Sequence, residues 1–359
     1  MNLPIIAAGG IFPSGPTLPL ADIAISAEFS LQRRYPFHTD QCGYPVSLSY
    51  FPEKNARFGI ERWVALLKAI LDDVSQRESA LDIKNQPANI WLILPTRNIF
   101  VFPEQIEPVL CQVLYEYAPR WEVKHIYYGE HAQAGNVLLN IARTAEQTRE
   151  PYLDIVIALH TWTTLEALLW LESRSLLHGS HTFYQDRLRS NPHGRVPGEG
   201  AACIVIGHNI SAPIWCQVSG IAVAREEMLA DSDQPCTGIA LSQAARQAIT
   251  LAGTPGISQL VTDFTGETYR ADELGFTLLR LKHNQLLTNF QQITPALASG
   301  DIGCASLLLH MAVVAWRYAQ NAEVTTHTLL LSSADSGQRS AIVMSPNHKE
   351  NIDGCKNQC

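Results

Sequence analysis

The sequence predicts an α/β fold with largely parallel strands, laid down twice along one chain. Three observations predict it. Short apolar runs alternate with segments of helical period. Several of those runs are continuously apolar, the mark of strands covered on both faces. The alternation also closes twice: once at the strand after GEGAA, and again at LLLSSADSGQRSAIVM, two strands joined by a loop of small residues. No close sequence repeat accompanies this, so the duplication is expected to be structural. At 359 residues the chain can hold two domain-sized cores or one large duplicated one.

In chain order, the first strand is expected over Leu3–Phe12. The helix Glu61–Arg77 follows, where Trp63, Leu66, Leu67, Ile70, Leu71 and Val74 form one apolar stripe. Strands at Asn89–Pro95 and Val123–Tyr128 come next, then a helix at Gly135–Glu146. Strands at Leu153–Leu159 and Ala201–Gly207 end the first pass. The second pass holds a strand at Trp215–Val223, a helix at Leu241–Leu251 and a strand at Gln259–Asp263. Its segment CASLLLHMAVVAW, Cys304–Trp316, is apolar nearly all round. Such a helix must be wholly buried, and it is too short to span a bilayer. Strands at Thr328–Leu331 and Ala341–Met344 close the pass. The expected division is 1–212, 213–346 and a polar, disordered tail over 347–359, NHKENIDGCKNQC.

Composition excludes several classes of function. The chain is 46% hydrophobic and 17% charged with a net charge of −8, and it has no Lys/Arg run, so no nucleic-acid surface is expected. Eight cysteines without paired spacing argue against a disulfide framework. The opening MNLPIIAAGGIFPSGP lacks a positive n-region, and its apolar run is too short for a membrane span. The expected compartment is the cytosol. Gly9–Gly10 follows a strand, but neither a Walker motif nor G-x-G-x-x-G is present, so no cofactor is expected. No metal is expected either. His348, Cys355 and Cys359 lack a zinc spacing, and His178 with His181 on a helix face would supply only two ligands.

Three segments carry a resemblance. HGRVPGEGAACIVI is similar to a stretch ending GEGAGALVL. ASGDIGCASLLLHMAVV resembles GHxxGAAG. LLLSSADSGQRSAIVM resembles SNSFGFGGTNAALVF. All three occur in the order found in the thiolase superfamily, and more closely in the β-ketoacyl synthases of fatty-acid and polyketide synthesis. The resemblance implies a duplicated, layered α-β-α-β-α fold with two mostly parallel mixed sheets and buried central helices. It implies a structural scaffold of Gly198, Glu199, Gly200, Gly300, Gly303 and Gly337, with Glu199 serving the fold. It also implies a dimer, either with itself or with a synthase-like subunit, and an acyl-thioester ligand.

The chemistry departs from the pattern. A condensing synthase needs a Cys thiolate at a helix N-terminus and two histidines. The nucleophile's place is GEHAQAG, where it falls on His131, Ala132 or Gln133. Setting the acidic Asp272 on the pattern puts Phe264 at the first histidine, and GDIG puts Asp301 at the second. Asp335 stands near the gating aromatic, in SSADSG from Ser332 to Gly337. Cys304 is the alternative nucleophile, at a helix start but in an apolar setting. Cys203 and Cys111 read as packing. His131 reads either as a residual acyl or hydrolytic site with Glu130, or as a polar helix start, which is preferred. His160, His178, His181 and His193 share no diagnostic spacing. Three functions stay open: a pseudoenzyme acting as adaptor or partner subunit, similar to accessory proteins of bacterial secretion-effector clusters; a chain-length-factor-like subunit, for which Gln133 is the attraction; and an acyltransferase with unfamiliar residues.

Overall fold

The computed structural model describes residues 2–51, 59–77, 82–100, 102–145, 150–254, 256–320 and 326–347. The first half contains β1 (Leu3–Ile11), α1 (Leu18–Ser26), β2 (Arg33–Thr39), β3 (Pro45–Leu48), α2 (Ile60–Ser75), β4 (Ala88–Pro95) and α3 (Ile106–Tyr117). It continues through β5 (Trp121–Gly129), α4 (Gln133–Ala145), β6 (Tyr152–Thr161), α5 (Leu165–Ser173), β7 (His181–Tyr184), β8 (Arg187–Ser190) and β9 (Glu199–His208). The second half contains β10 (Cys216–Arg225), α6 (Ile239–Ala252), β11 (Ile257–Thr262), α7 (Thr268–His283) and β12 (Leu287–Ile293). It ends with α8 (Ala296–Ser299), α9 (Ser306–Gln320), β13 (Thr328–Ser333) and β14 (Gln338–Pro346).

Without α1, α5, α8 and the ribbons β2–β3 and β7–β8, each half runs β-α-β-α-β-α-β-β. The strand orders β5-β4-β6-β9-β1 and β12-β11-β13-β14-β10 then coincide, and so do the directions: three parallel strands, then two antiparallel ones. The duplication expected from the alternation is there.

The sheets differ from expectation in two ways. The halves join where Leu3–Ile5 of β1 pairs Val218–Cys216 of β10, giving one hydrogen-bonded sheet of ten strands. Among the described strands of this sheet, parallel pairing is also confined to β5-β4-β6 and β12-β11-β13. The reason is connectivity. A parallel neighbour needs a crossover helix, and the last strand of each half follows a strand instead. β13 and β14 are joined by a short loop and so must turn back. Continuous apolarity reports burial on both faces and carries no information on direction. β9, buried at every residue, is antiparallel to both its neighbours.

Three apolar layers hold the sheet. α2 and α3 cover one face of the first half, α6 and α7 the corresponding face of the second. Between the two inner faces lie α4 and α9. α9 rests on β1 and β9 of the first half, while α4 rests on β10 and β14 of the second. α9 is buried at every residue from Ser306 to Ala315, as its all-round apolarity requires. The expected stripe of α2 is buried against β1. Asp73, on the same helix, accepts the Gly10 N–H at 2.9 Å and the Leu18 N–H at 3.2 Å, which fixes the helix to β1 and to the start of α1. Gly220 sits where a Cβ would lie 2.0 Å from the Ala248 carbonyl, so α6 packs directly on the β10 backbone.

Gly9 and Gly10 lie inside β1 rather than after it, so they do not form a phosphate-binding turn. His178 lies in the loop before β7 and His181 opens that strand; they share no helix face. Of the expected tail, residues 348–359, with His348, Cys355 and Cys359, lie outside the described residues. Among the described residues no helix is long and apolar enough to cross a membrane.

Candidate functional site

Four loops meet at the C-terminal ends of β5, β6 and β11, the end of parallel strands where α/β proteins place their sites. They are the turns β5–α4, β11–α7 and β13–β14, and the segment from α8 to α9. The loop leading into β9 braces them: Gly198 N–H donates to the Asp301 carbonyl at 2.8 Å, and Asp301 N–H to the Val196 carbonyl at 2.8 Å. This pairing needs Gly300 at φ +68°, where a Cβ would come within 2.8 Å of the Val196 carbonyl.

Asp301 is the hub. Its Oδ1 lies 2.7 Å from His131 Nε2 and accepts the Gly303 N–H at 2.8 Å. Its Oδ2 lies 3.5 Å from Arg195 Nη1. On the other side of His131, Arg270 Nη2 is 3.3 Å from Nδ1. A guanidinium only donates, so this contact leaves the lone pair on Nδ1 and puts the ring proton on Nε2, facing Asp301. Arg195 pairs with Glu267 and, at 2.6 and 2.7 Å, with both oxygens of Asp335. Arg270 also reaches Asp335 at 3.4 Å, and Asp263 and Glu267 at 3.5 Å each. Asp263 in turn accepts the Ser332 hydroxyl at 2.6 Å and the Ser333 N–H at 3.0 Å.

Two arginines, four carboxylates and a histidine thus form one network, buried except at Asp335. Burial works to raise the Asp301 carboxyl, but His131, Arg195 and Arg270 outweigh it and hold it far below the usual range. Asp335 is held down likewise by Arg195 and Arg270, and Glu267 by the same two groups. Burial would lower Arg195; its three carboxylates hold it well above its ordinary value.

Beside the network is a cavity of about 10 Å³, lined among others by His131, His160, Trp162, Arg195, Cys304 and Asp335. That is room for one water. His160 is pressed against Gly303, where a Cβ would sit 2.1 Å from the ring. Its Nδ1 accepts the Cys304 N–H at 3.3 Å, and burial pushes its pKa down to about 3. The Cys304 thiol donates to the Leu159 carbonyl at 3.3 Å, and burial pushes it well up. A thiol held protonated is a poor nucleophile.

The sequence-derived residues fall as follows. His131 is buried between Asp301 and Arg270, so it is neither a polar helix start nor paired with Glu130. Glu130 accepts the Ser336 N–H at 3.0 Å. Gln133 opens α4 and folds back over Gly129. Phe264 is half-buried and, with Gly194, Gly300 and Asp301, lines a separate cleft of about 340 Å³. Gly337, at φ +96°, packs on the Glu226 carbonyl. Glu199 is wholly buried. It accepts the Phe51 N–H at 2.6 Å, Arg62 Nε at 2.9 Å and the Thr161 hydroxyl at 3.1 Å, with a second Arg62 contact to Oε1. Gly198 and Gly200 flank it under the carbonyls of Ser299 and Ile11, each 2.7 Å from where a Cβ would be. Cys203 is buried in β9 and Cys111 is half-buried in α3.

Sequence reasoning missed Arg195, Arg270, Glu267 and Asp263, and it set His160 aside for want of a diagnostic spacing. A usable signal existed for the charged four: each lies inside or beside a segment already singled out. A buried Glu273, grouped with Glu226 and Cys236, is given over to Arg339 at 2.5 Å and Ser333 at 2.6 Å, which leaves it ill-suited to a cation.

No protein-family model matches the sequence, and no curated protein matches it. Solved structures do resemble it. One is the AntDE:AntF complex, described as a type II PKS acyl-carrier protein with its ketosynthase bound to the hexaketide. It has a TM-score of 0.74 at 12% identity, over 97% of this chain and 99% of that one. The ishigamide ketosynthase/chain length factor has a TM-score of 0.69 at 15% identity, over 97% and 100%. The ketosynthase from module 6 of the bacillaene synthase of Bacillus subtilis 168 has 0.72 at 11% identity, over 97% and 72%. Over nearly its whole length, with two duplicated halves around central helices, the chain has the thiolase-like fold of the ketosynthases.

Proposed function

We propose that this protein acts by binding and has lost acyl condensation. One observation carries the reading: His131 and Asp301, at the positions expected for the nucleophile and the second histidine, are tied up with Arg195 and Arg270 in a buried network. Both ring nitrogens of His131 are engaged. The neighbouring thiol, Cys304, is buried and held protonated. The cavity beside His131 and Cys304 has no room for an acyl chain. On this reading the network is a brace that holds four loops together, and the glycines around Glu199 serve the same brace.

The test is intact-mass analysis after incubation with acyl-coenzyme A and acyl-carrier-protein donors. The native protein should show neither adduct nor thioester turnover. An adduct that disappears in Cys304→Ala or His131→Ala would restore the acyltransferase and name its nucleophile.

A partner-subunit role, with a second copy or with a synthase-like chain as in chain-length factors, is favoured by a separate feature. β5 is an edge strand of the ten-stranded sheet. Beside it Trp91, His125, Tyr127 and Tyr152 line an open groove of about 610 Å³. Trp91 and Tyr127 are stacked with ring centres 6.4 Å apart. An unpaired strand next to half-exposed aromatics is a natural place for another subunit. Such a binding protein would serve as accessory or adaptor in the cytosol.

A further inference from the structure

Two ribbons outside the main sheet carry a surface the network does not explain. β2–β3 and β7–β8 each stand outside the ten-stranded sheet. An isolated two-stranded ribbon is marginal in water, so β7–β8 must be held at its base. Asp40 does this, accepting the His181 N–H at 2.8 Å and lying 2.8 Å from its Nδ1, while the Cys42 thiol donates to the His181 carbonyl at 3.3 Å. From Thr182 through Ser190 every residue is exposed. Gln185 and Asp186, at φ 49° and 55°, make the two-residue turn whose twist suits a hairpin. That turn sets Phe183 opposite Leu188 and Tyr184 opposite Arg187.

The two faces of this ribbon differ. His181, Phe183 and Leu188 share one face. The Tyr44 ring, 4.3 Å from His181, extends the row towards the β2–β3 ribbon. Phe183 is 72% exposed and Tyr44 44%. Tyr184, Arg187 and Arg189 share the other face, where the Arg189 guanidinium lies 4.9 Å from the Tyr184 ring. No carboxylate pairs with Arg187 or Arg189 among the described residues. Across the two ribbons the exposed charges are Arg33, Arg34, Arg187 and Arg189 against Asp186, on a chain whose net charge is −8. Positive charge is therefore concentrated on the same projection that exposes Phe183 and Leu188.

We propose that the β7–β8 ribbon is a docking arm for an acidic partner protein. The partner covers Phe183 and Leu188 and sets carboxylates against Arg187 and Arg189. The charge pattern selects this class. A lipid surface would meet the polar Gln185–Asp186 tip first, and nucleic acid would face a strongly negative molecule. The arm does not depend on whether the buried site is catalytic.

Calorimetric titration of the whole protein with a synthetic peptide of alternating Leu and Glu tests it, with the Leu–Lys peptide as counterpart. The Leu–Glu peptide should bind and weaken with salt. Affinity should fall at least about tenfold in Phe183→Ser and in the double variant Arg187→Glu, Arg189→Glu, both at unchanged Tm because these side chains touch no core. Absence of binding, equal binding by the variants or equal binding of the Lys peptide overturns the proposal. So does preferential binding to phosphatidylglycerol vesicles, or self-association lost in the same variants, since either assigns the arm to another occupant.

Discussion

His160 and His310 are buried without charge, and this ties stability to pH. Burial lowers His160 to about 3 and His310 to about 4. Each folded value is below the unfolded one, so between these values and about pH 6.5 the unfolded chain binds more protons. Stability is then complete above pH 6.5 and falls as the pH drops, by about 1.4 kcal/mol per pH unit for each group. Urea midpoints from pH 7 to pH 5 should show this decline, and His310→Gln should flatten it; a flat native profile would refute it. The depressed carboxyls of Asp301, Asp335 and Glu267 act below that window. Their contribution is present above about pH 4 and goes only as the pH falls towards their folded values. Removing one partner of a buried pair is more severe, so Asp301→Asn should cost roughly 3–5 kcal/mol in urea unfolding. Much of this was legible at single positions: GDIG and GEHAQAG pointed to Asp301 and His131. That the two would touch was not, because periodicity reports which face a residue takes and is silent on a partner 170 positions away.

At the scale of elements, burial on both faces leaves the clearest trace. α9 and β9 are apolar at nearly every position and were readable for that reason. α7 and β12 were not. α7 alternates charged and apolar residues as an outer helix does, and β12 is a polar edge strand. The ribbons β2–β3 and β7–β8 bury too little to show a pattern. Strand direction was also invisible, being set by what connects the strands. Close packing between elements, by contrast, is concentrated at single glycines. Gly220→Ala would drive a methyl into the Ala248 carbonyl. A backbone atom cannot step aside as a side chain can, so a loss of more than about 2 kcal/mol in Tm-derived stability is expected. Gly275→Ala, with nothing within 4 Å of the added carbon, should leave stability unchanged or slightly higher.

At the scale of the molecule, the proposed subunit contact at β5 makes a direct prediction. Tyr127→Glu, placed in the groove beside that edge, should shift sedimentation from dimer to monomer while leaving the fold intact. The same profile for both proteins would remove β5 as the interface. That α9 covers strands of the first half has a further consequence for how the chain is made. β1 and β9 are complete by residue 208, but the helix that covers their inner face spans residues 306 to 320. During synthesis that apolar face waits, at roughly 5–20 residues per second, on the order of ten seconds for its cover. A nascent chain released or stalled in that interval presents an unfinished sheet, and this is where its biogenesis would call most on chaperones.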